Sequence, residues 1–499
     1  MAHKIREVYI VHHSHTDVGY TDLQEQVIYN QANNIRRAVE LIEEGLEKGT
    51  NQKDLKWNCE TWYCVEQFLK AATKEEKKTF FELVKKNSIG LSANYLNFND
   101  LADCEYLTEK IHDMQEVCAK EGITVKTAMF ADINGISMGQ RDAMLANGVE
   151  FLYTNIHTHH GMYPLYQNQK PYFWENEDGK RLLVWSGEHY NLGNALGIVF
   201  NKNVNFMTEN YFGKAQGDVA GPLEKLNSNL IASMEEYEEN GYPYDFYITS
   251  VSGVFSDNAP INPSIADTVA LFNEKYSEEV TLRMVTLQEL YDLIRNKVAD
   301  APVYRGAIND WWGNGVGSTP YAVKHYKEAV RLNRICDRLE EKTGVHNAKL
   351  VKAYGDNSLL YAEHTWGHSA TITNPYDTMV TNLDMRKNSY ASKAHEAAAM
   401  RKNEQCHLLG DILRYYNLSG KVKAVSTSHE KRVFPVEFYV ETMSLPAVKV
   451  TDDKTNEVME VQLSTHPRGV LVSFLAEFEP MEEKTFTYEE QPAPAQTLF

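Results

Sequence analysis

From residue 7 to about residue 300, short apolar runs alternate with longer stretches in which apolar residues recur every three or four positions. The short runs, Glu7–Val11, Lys56–Cys59, Ile89–Ala93, Thr127–Ala131, Phe151–Asn155, Leu182–Ser186, Phe246–Ser250 and Leu282–Val285, predict buried strands. Charged stretches such as Gln24–Glu47, Lys74–Lys86 and Tyr106–Lys120 predict the intervening helices. Strand and helix alternating over this length calls for a parallel sheet, and so many units favour closure into a barrel or a strongly curved sheet. In such an architecture the loops leaving the carboxyl ends of the strands carry the chemistry. The longest connection, Tyr190 to Asp218, is rich in Asn and Gly and predicts a loop that covers substrate.

After about residue 320 the period becomes helical throughout. Ala322, Tyr326, Ala329, Val330, Ile335 and Leu339 mark one helix, and Asn347–Glu363 and Tyr376–Arg414 predict two more, which together suggest a three-helix bundle. From about Lys421 the pattern turns to β, with Lys423–Ser426, Val433–Val440, Val448–Thr451, Glu460–Leu463 and Val470–Phe474 separated by turn residues. The tail Gln491–Phe499 carries two prolines and is expected to be disordered. The expected domains are residues 1–305, 306–418 and 419–490, with 491–499 as the tail.

Composition narrows the class. A chain of 499 residues is too long for one ordinary core. Its net charge of -19 argues against nucleic-acid and anionic-membrane partners, which would require a basic patch. Six scattered cysteines frame neither a disulfide scaffold nor a thiolate zinc site, which fits a reducing compartment. The amino terminus enters the first strand without the apolar core of a secretory signal, and no run of about 18 apolar residues exists, so a cytoplasmic protein is expected.

The chemistry collects at strand ends. The segment HHSHTDVGYT (His12–Thr21) follows the first strand. His15 and Asp17, two residues apart, can face one point and form half of a metal site; the plain alternative is a polar loop with a chance pair. Gly19 permits a sharp exit. Asp132, in MFADINGIS, and Asp257, in SGVFSDNAP, each follow a strand, where an aspartate is either a reactive carboxylate or a cap or turn residue. Glu363, His364 and His368, in AEHTWGHS, close the second predicted helix of the bundle; His364 alone could be an imidazole resting on the helix dipole. Trp311 and Trp312, in NDWWGNGVGSTP, read as a sugar-stacking pair or as core packing. His159 and His160, with His157, in NIHTHHGMYP, read as sugar donors, a second cation site or a solvated loop.

These segments together resemble the glycoside hydrolase family 38 α-mannosidases. His13–Tyr20, HSHTDVGY, is similar to the family's H-S-H-x-D-x-G-W, and Asp132–Gly135, DING, to its nucleophile segment. LKWNCETWYCVEQF, from Leu55, and GLSANYLNFND, from Gly90, look like its W-x-x-E and G-G-W-V-M-N-D-E segments, so the likeness runs through most of residues 7–415. The resemblance implies a (β/α)7-type barrel as catalytic domain, a three-helix bundle and a short β region. It implies one zinc ion, or another divalent cation, held by His15, Asp17, Asp132 and His364, with His368 as rival to His364. Asp132 would double as nucleophile and Asp257 would be the general acid and base of a retaining double displacement. Trp311, Trp312, His159 and His160 would line the sugar site.

Some positions depart from the family pattern. Thr16 and Tyr20 replace Asn and Trp types, Ser92, Ala93 and Asn94 replace Gly-Gly-Trp, and Glu363, His364 and Thr365 stand where the family has His-His-Asp. The family carries large β-sandwich domains after its bundle, whereas only about 80 residues follow here, as in a reduced member or a fragment. The competing classes are a metal-dependent carbohydrate deacetylase, which activates water instead of a carboxylate, and a silent carbohydrate-binding homologue. The expected partner is a carbohydrate, with no nucleic acid and no membrane; a homo-oligomer is left open.

Overall fold

In the computed structural model, which describes residues 4–157, 163, 165, 168–199, 222–254, 257–308, 312–410, 419–442 and 447–492, the first apolar run is a central strand. Strand β1 (Glu7–His13) lies parallel to β8 (Phe246–Ser252) on one side and β9 (Thr281–Met284) on the other. Covered on both edges and both faces, it buries Val8, Tyr9, Ile10 and Val11 completely, which is why its sequence is continuously apolar rather than alternating. A second sheet runs in the order β10-β6-β7-β5-β4, from β4 (Thr127–Phe130), β5 (Phe151–Ile156), β6 (Lys170–Glu175), β7 (Arg181–His189) and β10 (Val303–Tyr304). A third pairs β2 (Trp57–Cys59) with β3 (Ile89–Leu91).

All eight predicted strands of the first 300 residues are present, but the predicted closed (β/α)7 barrel is not: among the described residues the three sheets are not joined by strand pairing. The architecture is mixed α/β. The physical reason lies in the two three-residue strands, which are tied to their neighbours by scattered bonds instead of a ladder. Asn58 Nδ2 donates to the carbonyls of His12 and Val285, Thr127 Oγ1 donates to the carbonyl of Leu91, and the N–H of Ala93 donates to the carbonyl of Thr127. Strand β6 runs antiparallel to β7, an addition that the alternating pattern did not predict.

The helices follow their apolar periodicity. Gln24–Lys48 buries Val27, Ile35, Ala38, Val39, Leu41 and Ile42 on one face and ends at Gly49 in the left-handed conformation (φ 69°). Lys74–Lys85 and Leu287–Ile294 each begin with a reciprocal capping box, Thr73 with Glu76 and Thr286 with Glu289. Three longer helices span Pro320–Thr343, Ala348–Ala362 and Thr378–Leu409. No described helix is long and apolar enough to cross a membrane.

The chain divides into two compact units, residues 1–323 with 355–391, and residues 324–354 with 392–499. In the second, Ala329, Leu332, Tyr354, Ala394, Ala397 and Ala398 form a small-residue core between helical segments. Its carboxyl-terminal part is antiparallel, built from β11 (Gly420–Val425), β12 (Arg432–Val440), β13 (Ala447–Asp452), β14 (Val458–Met459), β15 (Val461–His466), β16 (Gly469–Phe478) and β17 (Glu483–Gln491), with one sheet in the order β11-β17-β13-β14 and another in the order β12-β16-β15, over a core that includes Val440, Val450, Phe474 and Phe486. Strand β17 (Glu483–Gln491) was not predicted, and its last residue is the first of the expected tail; residues 493–499 lie outside the described ones.

Candidate active site and metal centre

The end of β1 turns into a loop whose polar side chains point inward: His12, His13, Ser14, His15, Thr16 and Asp17 are all buried. The exit is made by Gly19 at φ 122°, a conformation that a residue with a Cβ rarely adopts. Asn258, in the turn beyond the neighbouring strand β8, secures the loop: its backbone N–H donates to the carbonyl of His15, and its Oδ1 accepts from the N–H of Asp17.

Asp132 follows β4 with φ 73°, an uncommon conformation for a residue other than glycine. The N–H of the preceding Ala131 donates to Asn97 Oδ1 at 3.3 Å. Asn97, fully buried in the loop after β3, also donates to Glu60 Oε1 at 2.6 Å, and its carbonyl accepts from the N–H of His364 at 2.8 Å. One side chain and its carbonyl therefore tie together three strand-end loops and the end of helix Ala348–Ala362.

His15, Asp17, Asp132 and His364 meet at a point. One ligand atom from each lies within 4.8 Å of all the others. His364 Nε2 is 3.1 Å from Asp132 Oδ2 and 3.2 Å from Asp17 Oδ1; His15 Nε2 is 3.5 Å from Asp17 Oδ1 and 3.7 Å from Asp132 Oδ2. Bonds of about 2.1 Å to one ion would set ligand atoms roughly 3.0–3.4 Å apart, so these separations fit a shared divalent cation. Buried His15 Nε2 and Asp132 Oδ1 also make no hydrogen bond. Two imidazole nitrogens and two carboxylates are an ordinary donor set for zinc.

His368, the rival ligand, is not part of this cluster. Its Nδ1 accepts from the N–H of Ala370 and its backbone pairs with Tyr20.

Electrostatics follow the geometry. Burial opposes charge on His15 and His364, but adjacent carboxylates, Glu60 and Asp17 for the first and Glu363 and Asp132 for the second, raise both well above the usual imidazole range. Burial would raise Asp132; the His15 and His364 imidazoles outweigh it and hold the carboxyl well below its usual range. Asp257, beyond β8, behaves oppositely. Burial and the neighbouring Asp17 carboxylate push it up to about 6, although Tyr190 donates its hydroxyl to Asp257 Oδ1 at 2.5 Å. Lys387, buried beneath Glu363, is lowered to about 8 by desolvation.

Trp312 Nε1 donates to the carbonyl of His364 at 2.8 Å, and its ring lies 5.5 Å from that of His157. His157 Nε2 is 3.9 Å from Asp132 Oδ1. Trp311, His159, His160 and most of the expected covering loop lie outside the described residues. Sequence reasoning gave no role to Glu60, Asn97 or Tyr190, whose ring packs 4.3 Å from that of His15. Each stands just past a strand, at the end of β2, in the loop after β3 and at the end of β7, so the strand-end rule that selected Asp132 could have found them.

Residues 6–307 match the family model described as the glycosyl hydrolases family 38 N-terminal domain. The chain belongs to glycosyl hydrolases family 38. This family 38 chain is also similar in fold to two solved structures. One is an alpha-mannosidase from Enterococcus faecalis V583, at 14% identity and TM-score 0.63 over 99% of this chain and 57% of that one. The other is a glycosyl hydrolase family 38 protein from Enterococcus faecalis, at 13% identity and TM-score 0.58 over 100% of this chain and 55% of that one. The family 38 chain thus spans little more than half the length of those proteins. No curated protein gives a significant match to its sequence.

Proposed function

We propose that this chain is a zinc-dependent retaining glycoside hydrolase of the α-mannosidase type, acting on α-mannosides or related α-glycosides, with residues 1–305 as its catalytic domain. The observation that carries the reading is the pair of carboxyls shifted in opposite directions: buried Asp132 is lowered by the His15 and His364 imidazoles, and partly exposed Asp257 is raised by desolvation and by Asp17, against the opposing His15. Such a split supports one group as a nucleophile that stays ionised and the other as an acid that keeps its proton. His15, Asp17, Asp132 and His364 would hold the metal. A bound zinc ion would supply positive charge and a template for vicinal sugar hydroxyls.

Asp132 attacks the anomeric carbon through Oδ1, the oxygen without a hydrogen bond, while its Oδ2 faces His364. Asp257 gives its proton to the departing glycosidic oxygen, so the C–O bond breaks as an ester to Asp132 forms. It then takes a proton from water, which attacks the same carbon and releases Asp132. The Tyr190 hydroxyl holds the Asp257 carboxyl in place. Trp312 and His157 flank Asp132 as sugar contacts. Six free cysteines support a reducing, cytoplasmic setting.

The test is to treat the zinc-loaded protein with an activated fluoroglycoside that forms the ester but hydrolyses slowly, then to map the adduct by mass spectrometry. The expected result is one glycosyl group on Asp132. Turnover without any adduct would favour a metal-activated water, as in a deacetylase, and overturn the nucleophile assignment.

A further inference from the structure

Glu60, just past β2, is a carboxylate only 3% exposed, and no lysine or arginine pairs with it among the described residues. Four donors hold it instead. Its Oε2 faces His13 Nδ1 at 2.6 Å. Its Oε1 faces His15 Nδ1 at 3.1 Å and accepts from the N–H of Thr16 at 3.1 Å and from Asn97 Nδ2 at 2.6 Å. Burying an ionised carboxylate costs several kcal/mol, and hydrogen bonds of this number and direction are what offset it. Simple packing does not call for such an arrangement, because an apolar residue would fill the space without that cost.

The direction of these bonds has a consequence for His15. A carboxylate oxygen only accepts, so the imidazole facing it carries a proton on Nδ1 whether the ring is charged or neutral, and the neutral ring that binds a cation keeps its lone pair on Nε2. That nitrogen, Nε2, points to Asp17 Oδ1 and Asp132 Oδ2 and makes no hydrogen bond. A carboxylate also stands behind the second imidazole, in a different geometry. Glu363 Oε1 lies 2.8 Å from His364 Nδ1 as an ion pair without a hydrogen bond, and His364 Nε2 is hydrogen-bonded to Asp132 Oδ2 at 3.1 Å. Glu363 is itself held from behind, by Lys387 Nζ at 3.4 Å and by the Thr365 hydroxyl at 2.8 Å.

We infer that Glu60 is a positioning residue for the metal centre: it fixes the tautomer and the ring orientation of His15, so that Nε2 is presented to the cation before the cation arrives. The inference rests on the proposed metal site and goes beyond it by assigning a role to a residue that touches neither metal nor substrate. A buried carboxylate behind a ligating imidazole also makes the other nitrogen a better donor.

The test compares the full-length parent, Glu60→Gln and His15→Ala, each stripped with a chelator and titrated with Zn2+ against a chromogenic competitor, with the Co2+ absorption spectrum as a second readout. Glutamine keeps the shape and one accepting oxygen but loses the charge. The expected result is an affinity about 10–100-fold weaker in Glu60→Gln, with a shifted Co2+ band and a melting temperature of the metal-free protein close to the parent's. Weakening in His15→Ala with the parent's affinity and spectrum in Glu60→Gln would overturn the inference alone. Equal binding by all three proteins would overturn the metal site and the inference with it. If Glu60→Gln does not fold, the zinc-loaded parent with 15N-labelled histidine decides the matter: an Nδ1–H tautomer at His15 supports the inference, and an Nε2–H tautomer overturns it.

Discussion

Asp132 and Asp257 are both strand-end aspartates, both are held in the same site, and they differ in what surrounds them. Asp132 stands after β4 with His15, His364 and His157 around it. Asp257 stands after β8 and faces Asp17, Asp132 and the Tyr190 hydroxyl. Desolvation disfavours charge on both. The sign of the neighbours then decides: imidazoles keep the first ionised to low pH, whereas carboxylates let the second keep its proton up to about 6. Residue type and strand position therefore do not assign a role; the charges brought in by other loops do.

The largest effect expected is at Asp132. Asp132→Asn keeps the shape but removes the charge, and activity toward any aryl α-mannoside should fall about 10^4-fold or more, some 5 kcal/mol of barrier. Metal analysis of the same protein should find weaker zinc retention, because Asp132 also belongs to the ligand cluster. His364→Ala should lose zinc and activity together, while His368→Ala, whose imidazole accepts a local backbone N–H, should keep both. Zinc loss in His368→Ala alone would exchange their roles.

Asp257 should behave differently on every one of these measurements. Asp257→Ala should keep its zinc and lose about 10^2–10^4-fold on substrates whose leaving oxygen needs a proton. With a dinitrophenyl leaving group the first step should survive and the second become slow. Azide, which needs no base, should then speed turnover and yield an α-glycosyl azide if configuration is retained. A β-azide, or no activity toward the activated substrate with zinc still bound, would remove Asp257 from this role.

Most of this contrast was legible only in part from the sequence. His15 and Asp17 could be found because they follow a strand whose apolar run is continuous, and Asp132 and Asp257 because each breaks such a run at its end. His364 was legible as one of two imidazoles near a helix end; choosing between them needed the loop after β3, whose Asn97 carbonyl holds the His364 backbone. Glu60 escaped because, although it stands just past β2, it lies two residues before the helix Trp62–Ala71, where a glutamate reads as an ordinary residue near a helix start. Barrel closure was overread for a similar reason. Strand periodicity counts strands but says nothing of edges, and here Asn58 and Thr127 side chains bridge where ladders were expected.

A smaller effect separates the two aspartates by stability alone, in the metal-free protein. The folded value of Asp132 is depressed, so its ionised form stabilises the fold above the unfolded value near 4, and that contribution is lost as pH falls through the folded value. Asp257 is raised from 3.8 to about 6, so its protonated form is favoured on folding and stability is lost as pH climbs between those values. At pH 8, Asp132→Asn should therefore lower the melting temperature. Asp257→Asn should raise it, by an amount on the order of 1 kcal/mol once its partial exposure is allowed for, and the gain should vanish near pH 4. Shifts of the same sign in both variants would mean that packing, not charge, dominates the two sites.

The smallest effect tests whether the two halves of the site are separable at all. Trp312 touches the Asp132 side: its indole N–H donates to the carbonyl of His364, and its ring packs on the rings of His364 and His157. Trp312→Phe keeps an aromatic face for a sugar but loses that hydrogen bond, a change of about 1 kcal/mol. If Trp312 acts on the bound sugar, KM should rise several-fold while the dependence of rate on leaving-group acidity stays that of the parent, because the proposed mechanism gives protonation of the leaving oxygen to Asp257. A steeper dependence on leaving-group acidity in Trp312→Phe would mean that displacing the His364 loop also disturbs Asp257. The opposed environments of the two carboxyls would then be one coupled arrangement, not two independent ones.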